Sequence, residues 1–305
     1  MKRKLIIFDF FALFFLILLL PGQSYYEKIT QQNQPSAVLS AHFVLPPVAP
    51  RPVKITTAPL SDLTAQAVYV MDLPSGSVLY QKEAEQKMLP ASTVKMMTAL
   101  TALTYFSPND VLVVPEKFRD GQNLKLVKGE KMTMENLLYC LLVASANDAA
   151  ETLAANYPGG RSAFVEQMNA LAIKWNLNQT HFVNPTGIDQ EGQYSSARDL
   201  ALLAKIVLND PLLSKIVATK NYTAYSQDGK MRHPMSNINL LLNQYPGVKG
   251  VKTGWTDLAG ECLVGYLEKD NRRLISVVLG SNDRFGETIK IFNWVLDNFS
   301  WESSF

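Results

Sequence analysis

Residues 89 to 99 read Leu89-Pro90-Ala91-Ser92-Thr93-Val94-Lys95-Met96-Met97-Thr98-Ala99. The small and apolar residues after Pro90 predict a helix from about Ser92 to Tyr105 that opens with a Ser-x-x-Lys pattern. Residues three apart share a helix face, so the Lys95 amine can reach the Ser92 hydroxyl. First-turn N–H groups lack intrahelical partners and can face a developing oxyanion. The pattern therefore indicates a serine nucleophile with a lysine base, or alternatively an N-cap serine followed by a solvated lysine.

Strand-like runs near both ends of the chain enclose a helical middle. The predicted strands span residues 67–72, 77–82, 248–253, 261–268 and 273–280. The predicted helices after the first span residues 137–143, 148–155, 164–175, 197–208 and 287–299. This order predicts an α+β fold in which an antiparallel sheet of about five strands is covered by helices.

A polar tripeptide, Ser145-Ala146-Asn147, separates two apolar helical runs. A polar break there indicates residues that line a cavity, although a simple helix break with Ser145 or Asn147 as the next cap would look the same. The chain holds a second Ser-x-Asn at Ser107-Pro108-Asn109, which lies in a polar turn after the first helix. The tripeptide Ser145-Ala146-Asn147 is therefore the candidate for a site.

A third pattern, Lys252-Thr253-Gly254, ends a late strand-like run. A lysine beside a hydroxyl can bind a carboxylate, and Gly254 would let a ligand approach the backbone closely. The alternative is an edge-strand lysine followed by a turn.

The N-terminus predicts export. Lys2, Arg3 and Lys4 precede an apolar run over residues 5–20, which is typical of a signal peptide or membrane anchor over residues 1–24. Residues 25–60 are rich in Pro and Gln and predict a linker, residues 61–300 the catalytic domain, and residues 301–305 a tail. The expected location is periplasmic, or the extracytoplasmic face of the cell membrane.

Composition argues against several functions. The net charge is +2 with no basic run beyond the extreme N-terminus, so we expect no nucleic-acid binding. The three histidines are scattered, and we expect no metal and no cofactor. Cys140 and Cys262 are predicted to be buried free thiols, although an exported protein could pair them.

The order and spacing of the three patterns resemble the signature of penicillin-binding proteins and serine β-lactamases. Longer segments look like the low-molecular-mass D-alanyl-D-alanine carboxypeptidases, namely residues 89–99, 145–150, 168–169, 182–187, 194–200 and 250–256. The resemblance runs from about Ala67 to Phe299. It implies a β-lactamase/transpeptidase-like fold, an antiparallel sheet flanked by helices with a helical subdomain.

The resemblance also implies the catalytic roles. Ser92 would attack the carbonyl that joins the last two D-alanines of a peptidoglycan stem pentapeptide, and β-lactam antibiotics would be covalent inhibitors. Lys95 would take the serine proton, and Ser145 would relay a proton toward the leaving amine. Asn147 would hold the substrate amide and the Lys95 side chain.

The implied binding residues lie on the late strand. Lys252 and Thr253 would bind the terminal carboxylate beside Gly254. The N–H groups of Ser92 and Trp255 would form the oxyanion hole. Trp255 stands where several family members carry histidine, which leaves the substrate-side contacts open.

Three alternatives remain. A peptidoglycan D,D-endopeptidase would use the same residues on cross-links. A β-lactamase would need a deacylating glutamate, and the nearest analogue, Glu166-Gln167-Met168-Asn169, has the wrong spacing within an amphipathic helix. A non-catalytic wall-binding module would have no need to keep all five polar residues, Ser92, Lys95, Ser145, Asn147 and Lys252.

Overall fold

The computed structural model describes residues 50–115, 118 and 120–302. The strands are β1 (Arg51–Lys54), β2 (Ala67–Asp72), β3 (Val78–Lys82), β4 (Val111–Val113), β5 (Lys131–Thr133), β6 (Asn221–Tyr225), β7 (Arg232–Ser236), β8 (Val248–Thr256), β9 (Gly260–Lys269), β10 (Arg272–Ser281) and β11 (Phe299–Glu302). The α-helices are α1 (Lys95–Leu103), α2 (Met134–Leu142), α3 (Asn147–Asn156), α4 (Gly160–Lys174), α5 (Ala197–Asn209), α6 (Pro211–Val217), α7 (Leu241–Gln244) and α8 (Arg284–Asn298).

One five-stranded antiparallel sheet forms the centre of the fold, in the order β3-β2-β10-β9-β8. Neighbours in sequence pair as hairpins, whereas the β2–β10 pair joins the two ends of the domain and places Tyr69 opposite Val277. The predicted strands and their α+β arrangement are therefore confirmed. Strand β8, which carries Lys252-Thr253-Gly254, lies at an edge of this sheet, where one side of its backbone is free to meet a ligand.

Helices cover both faces of the sheet. On one face α8 buries Ile291, Phe292 and Val295 against apolar side chains of β2, β9 and β10. On the other face α5 packs on β2 and β10, and the remaining long helices extend the core away from the sheet. Helix α1 lies inside this helical part and contacts α2, α3, α4 and α5, which explains why its residues from 95 to 102 are all buried. The predicted helical subdomain is confirmed.

Folded elements lie on both sides of the boundaries predicted at residues 60 and 301. Strand β1 lies within the predicted linker and pairs antiparallel with β11, with Pro52 opposite Trp301, so that part of the predicted tail is also folded. Proline lacks an N–H donor and is tolerated in such a two-stranded ribbon. Further along, the buried carboxylate of Glu287 accepts the backbone N–H groups of Thr64 and Ala65, which fixes the chain before β2.

The structure bears differently on the predictions for the N-terminal segment and for the two cysteines. The predicted signal peptide or anchor over residues 1–24 lies outside the described residues. Among residues 50–115, 118 and 120–302, none of the helices combines the length and hydrophobicity that a bilayer crossing requires. Cys140 and Cys262 are buried free thiols, as predicted.

The packing of α8 on the sheet predicts a stability difference between two leucines. Leu267 on β9 is fully buried against this helix, whereas Leu258 is 76% exposed. We expect Leu267→Ala to lower the free energy of unfolding by about 2–5 kcal/mol, because it removes buried methyl groups and leaves a cavity. Leu258→Ala, the matched control, should change it by less than about 0.5 kcal/mol. Urea unfolding measures both values, and equal losses would contradict this packing.

Candidate active site

Ser92 lies in a 3₁₀ turn, Ala91–Val94, that leads into α1. The α-helix thus begins at Lys95, three residues later than the sequence indicated, because Ala91 adopts a left-handed φ of 48°. Two glycines make room for this turn. A Cβ at Gly187 would lie 2.0 Å from the Ala91 carbonyl oxygen, and one at Gly254 would lie 3.0 Å from the Ser92 nitrogen. Strand β8 and the 187 loop can therefore close on both sides of the serine.

The Lys95 amine lies beside the Ser92 hydroxyl. Its Nζ is 2.8 Å from Ser92 Oγ and donates a 2.6 Å hydrogen bond to the Thr186 carbonyl oxygen. Lys95 has no exposed surface, whereas Ser92 is partly exposed. A hydroxyl that reaches solvent and an amine that does not are the arrangement that general-base activation of a serine requires.

The environment of Lys95 favours a neutral amine. Burial lowers its pKa well below the usual value, and the positive charge of Lys252 lowers it further. The carboxylates of Asp148 and Glu151 act in the opposite direction but are weaker influences. Desolvation disfavours the charged form, so this amine can accept a proton at moderate pH.

A hydrogen-bonded loop presents the Thr186 carbonyl to Lys95. The Asn184 side-chain oxygen accepts the Thr186 hydroxyl at 3.0 Å and the Gly187 N–H at 2.8 Å. The Thr98 hydroxyl of α1 donates to the Pro185 carbonyl at 2.6 Å, which ties this loop to the helix that carries Lys95. These residues are buried, so the acceptor for the amine is held in place.

The polar break between α2 and α3 contributes Ser145 and Asn147. Ser145 adopts a left-handed φ of 58° and is 2% exposed. The Asn147 amide donates to the Asp120 carbonyl at 2.9 Å, and its Oδ1 has no hydrogen-bond partner among the described residues. The resemblance implied a contact between Asn147 and the Lys95 amine. Among the described residues no hydrogen bond joins the two side chains, and the amine contacts Ser92 and Thr186 instead. The Asn147 oxygen is thus a buried acceptor without a donor in the described part of the chain.

Strand β8 supplies the second buried amine. Lys252 is 1% exposed, and burial, helped by the Arg284 charge, lowers its pKa to about 7. Its Nζ donates to the Thr253 carbonyl at 2.9 Å. The Thr253 hydroxyl is buried and has no partner in the described part of the chain, whereas Arg284 donates to the Gly254 carbonyl at 2.9 Å. An anionic ligand would find two cations and a free hydroxyl here.

One cleft of about 540 Å³ brings these elements together. Its lining residues are Ser92, Asp120, Gly121, Gln122, Ser145, Asn147, Gly187, Ile188, Asp189, Ile238, Thr253, Gly254, Trp255, Thr256, Asp257 and Arg284. Six of the eight site residues expected from the sequence are in this lining. The other two, Lys95 and Lys252, are buried behind Ser92 and Thr253, close enough for the charge of one to affect the other. The expected residues therefore share one cleft.

Sequence reasoning missed three contributors to the cleft. Arg284 stands in the first turn of α8, where a cation is unfavourable to the helix dipole, but the helix predicted over residues 287–299 did not include it, so the sequence offered no signal. The Thr186 carbonyl could not be identified from the sequence, because every residue type carries a backbone carbonyl. Asp189 accepts the Thr256 hydroxyl at 2.8 Å and links the 187 loop to β8, a contact between residues 67 positions apart.

Within the described residues no three His, Cys, Asp or Glu side chains form a metal-binding group. The arrangement combines a partly exposed hydroxyl beside a buried amine with a strand that carries a second buried lysine and an unpartnered hydroxyl, which is typical of the class of serine acyl-transfer enzymes.

Solved structures share this fold. The crystal structure of the Streptomyces K15 DD-transpeptidase is similar with a TM-score of 0.74 and 30% identity, covering 79% of this chain and 100% of that chain. A D-alanyl-D-alanine carboxypeptidase from Mycobacterium tuberculosis H37Rv is similar with a TM-score of 0.75 and 30% identity, covering 82% and 99%. The β-lactamase/transpeptidase-like fold is therefore confirmed.

A sequence profile described as D-alanyl-D-alanine carboxypeptidase matches residues 53–283. The chain belongs to this family. It is 33% identical to D-alanyl-D-alanine carboxypeptidase DacF of Bacillus subtilis over 77% of this chain and 63% of that protein. A D-alanyl-D-alanine endopeptidase of Escherichia coli is 29% identical over 82% of this chain and 84% of that protein. The chain thus spans about 63% of the length of its Bacillus subtilis relative.

The pKa of Lys252 predicts a pH-dependent stability. Between its folded pKa of about 7 and the ordinary value of 10.5, the unfolded chain holds a proton that the folded chain has released. Stability from this group therefore rises with pH in that window, by up to about 1.4 kcal/mol per pH unit. We expect the free energy of unfolding of the wild type, minus that of Lys252→Met, to rise by about 2 kcal/mol between pH 8 and 9.5.

Lys249→Met on the same strand is the control, since the Lys249 side chain is 53% exposed. Its difference from the wild type should stay constant over the same pH range within about 0.5 kcal/mol. Urea unfolding at both pH values supplies the measurement. A pH-independent difference for Lys252→Met would show that this amine is not desolvated.

Proposed function

We propose that this protein is a serine D-alanyl-D-alanine carboxypeptidase that removes the terminal D-alanine of peptidoglycan stem pentapeptides. The observation that carries the proposal is the buried Lys95 Nζ, 2.8 Å from Ser92 Oγ at the wall of the cleft. Family membership supports the chemistry, and the cationic end of the cleft supports a substrate that ends in a free carboxylate.

The acylation step uses Ser92 and Lys95. Ser92 Oγ bonds to the carbonyl carbon of the penultimate D-alanine while its proton passes to the neutral Lys95 amine. The resulting oxyanion would be held by the N–H groups of Ser92 and Trp255. Its collapse breaks the C–N bond, the electron pair stays on nitrogen, and this nitrogen takes a proton that Ser145 relays. D-Alanine leaves, and the acyl group remains as an ester on Ser92.

Deacylation completes the cycle. Water adds to the ester carbon, the Ser92 oxygen leaves and regains a proton, and the shortened peptide departs with a new carboxylate. Lys95 is the base within reach for both half-reactions, because it is the amine that contacts Ser92. A β-lactam would form the same ester through its ring carbonyl and act as a covalent inhibitor.

Binding of the terminal carboxylate falls to Lys252 and Thr253. The Thr253 hydroxyl lacks a partner among the described residues, and Lys252 and Arg284 supply positive charge next to it. On the opposite wall Asn147 Oδ1 would accept an N–H of the substrate. A peptide held at both positions would place its last amide over Ser92.

Export is part of the proposal. The basic residues at positions 2–4 and the apolar run over residues 5–20 support a signal peptide or a retained membrane anchor. The substrate class also lies outside the cytoplasmic membrane. We therefore propose that the enzyme acts in the periplasm or at the extracytoplasmic face of the membrane.

Replacement of the two central residues tests the chemistry. We expect Ser92→Ala to abolish covalent labelling by a fluorescent penicillin and D-alanine release from a pentapeptide, because the ester cannot form. Lys95→Met should slow acylation by about 100-fold or more, since it removes the base but keeps the chain length. Lys249→Met, an exposed change on β8, should label at the wild-type rate. Wild-type labelling by Lys95→Met would refute the assignment of the base.

The same assay separates the two peptidase activities. Free D-alanine from a pentapeptide indicates the carboxypeptidase, whereas cleavage of a cross-linked dimer with little D-alanine release would indicate the endopeptidase. That outcome would contradict the proposed function while leaving the roles of Ser92 and Lys95 intact.

The pKa of Lys252 predicts an alkaline limb in activity. Lys252 must carry a proton to attract the carboxylate, and its pKa of about 7 means that the free enzyme loses this charge as the pH rises. We therefore expect kcat/KM to fall above about pH 7, with Lys252→Arg moving this limb to higher pH because arginine stays charged. Initial rates from pH 6 to 10 provide the check. An unmoved limb in Lys252→Arg would assign the titration to another group.

A further inference from the structure

A loop over residues 120–126 forms part of the wall of the cleft. Asp120, Gly121 and Gln122 line the cleft together with Asn147. The loop lies directly against the Asn147 side chain, since a Cβ at Gly121 would be only 2.6 Å from Asn147 Nδ2. These seven residues contain no helix or strand, so contacts with other elements must hold the loop in its conformation.

The loop determines how the Asn147 amide is oriented. The Asp120 carbonyl accepts a hydrogen bond from Asn147 Nδ2 at 2.9 Å, and the Gln122 carbonyl accepts one from the Asn147 backbone N–H at 2.7 Å. A carbonyl oxygen can only accept, so the first contact requires the NH2 end of the amide to face Asp120. Oδ1 is then the end of the amide without a partner among the described residues.

One buried carboxylate, that of Asp148 in the first turn of α3, holds this loop against the helix. Its Oδ1 accepts the Leu124 N–H at 3.3 Å, and its Oδ2 accepts the Leu126 N–H at 3.0 Å. In the other direction, the Asn123 side-chain oxygen accepts the Asp148 N–H at 3.0 Å. Hydrogen bonds to a carboxylate are roughly twice as strong as neutral ones, and the first turn of a helix favours a negative charge. Asp148 is therefore the strongest acceptor that the loop contacts.

We propose that Asp148 is a positioning residue for Asn147. Its carboxylate fixes residues 120–126, and the carbonyls of this loop hold the Asn147 amide in the orientation that leaves Oδ1 for the substrate. Asp148 is not among the residues that line the cleft, so it acts through the loop and does not touch the substrate. The role rests on the proposed function in one respect, because that function assigns Oδ1 to a substrate N–H.

Hydrogen exchange of the full chain tests whether Asp148 holds the loop. Asp148→Asn keeps the size of the side chain but replaces one acceptor oxygen by an NH2 group, so either the Leu124 or the Leu126 N–H loses its partner. We expect amide exchange over residues 120–126 to become faster by about tenfold or more. Exchange within α2 should keep its wild-type rate, because the lost contact belongs to the loop.

A double-mutant cycle tests whether Asp148 acts through Asn147. We expect Asp148→Asn to lower the rate constant of acylation by a fluorescent penicillin, and kcat/KM for D-alanine release from a pentapeptide, by about tenfold. Asn147→Ala should lower both by itself. Once the Asn147 amide has been removed, Asp148→Asn should lower them by less than about twofold more, because the group that it positions is gone.

Asp210→Asn is the matched control. The Asp210 carboxylate also stands at the start of a helix, where it accepts the Leu213 N–H at 2.9 Å, but Asp210 does not line the cleft. Its replacement should leave both the exchange over residues 120–126 and the acylation rate at their wild-type values.

Gly121→Ala tests the same contact from the exposed side of the loop and leaves Asp148 in place. The added methyl group would meet Asn147 Nδ2, and the left-handed φ of 64° is unfavourable for alanine, so the loop must move away from the amide. We expect slower acylation in Gly121→Ala when Asn147 is present, and no further loss in the Asn147→Ala background.

Several results would overturn the positioning role of Asp148. These are unchanged exchange over residues 120–126 in Asp148→Asn, unchanged acylation despite faster exchange, and equal losses with and without the Asn147 amide. Loss of the whole fold in Asp148→Asn would also contradict the role, because the expected change is confined to the loop. A wild-type protein that is labelled by penicillin but releases no D-alanine would instead overturn the proposed function, and the acylation rates would still test Asp148.

Discussion

The structure depends on the burial of one amine, Lys95 Nζ, next to Ser92 Oγ. A charged ammonium without exposed surface is unfavourable, so burial lowers the pKa of Lys95 and favours the neutral form that a base needs. That environment needs the whole fold. Helix α1 must lie inside the other helices to exclude water, and the Thr186 carbonyl must accept one amine hydrogen, because an unpaired buried donor is costly. The packing of the helical subdomain is thus a condition of the chemistry.

Burial also affects a second lysine of the cleft, Lys252. Burial lowers the pKa of both amines, and a neighbouring cation lowers it further in each case, Lys252 for Lys95 and Arg284 for Lys252, whose pKa falls to about 7. Arg284 adds a further positive charge beside Lys252. In the proposed mechanism these identical side chains differ in role because their contacts differ: Lys95 adjoins the Ser92 hydroxyl, whereas Lys252 adjoins Thr253 on β8.

Local patterns predicted what local physics determines. The strand-like runs that became β2, β3, β8, β9 and β10 were identifiable, and so was the Ser-x-x-Lys spacing at the start of a helix. The pairing of β1 with β11 was not, because it joins residues almost 250 positions apart and includes Pro52. The acceptor for the Lys95 amine is a backbone carbonyl, and the placement of Asn147 against Asp120 depends on a loop contact. Neither contact can be recognised from the residue types in the sequence.

Strand β8 changes from buried to exposed along its length. Gly254 cannot gain a side chain without meeting the Ser92 turn, and Lys252 and Thr253 are buried, so this part of the strand is constrained by packing. One residue further, Trp255 points into an open cleft mouth, and the β8–β9 turn that follows is exposed. Changes there cost little stability, since exposed turn residues make few packing contacts. Under the proposed function, changes at the exposed end of β8 could therefore alter which peptide binds without disturbing the buried Lys95 amine.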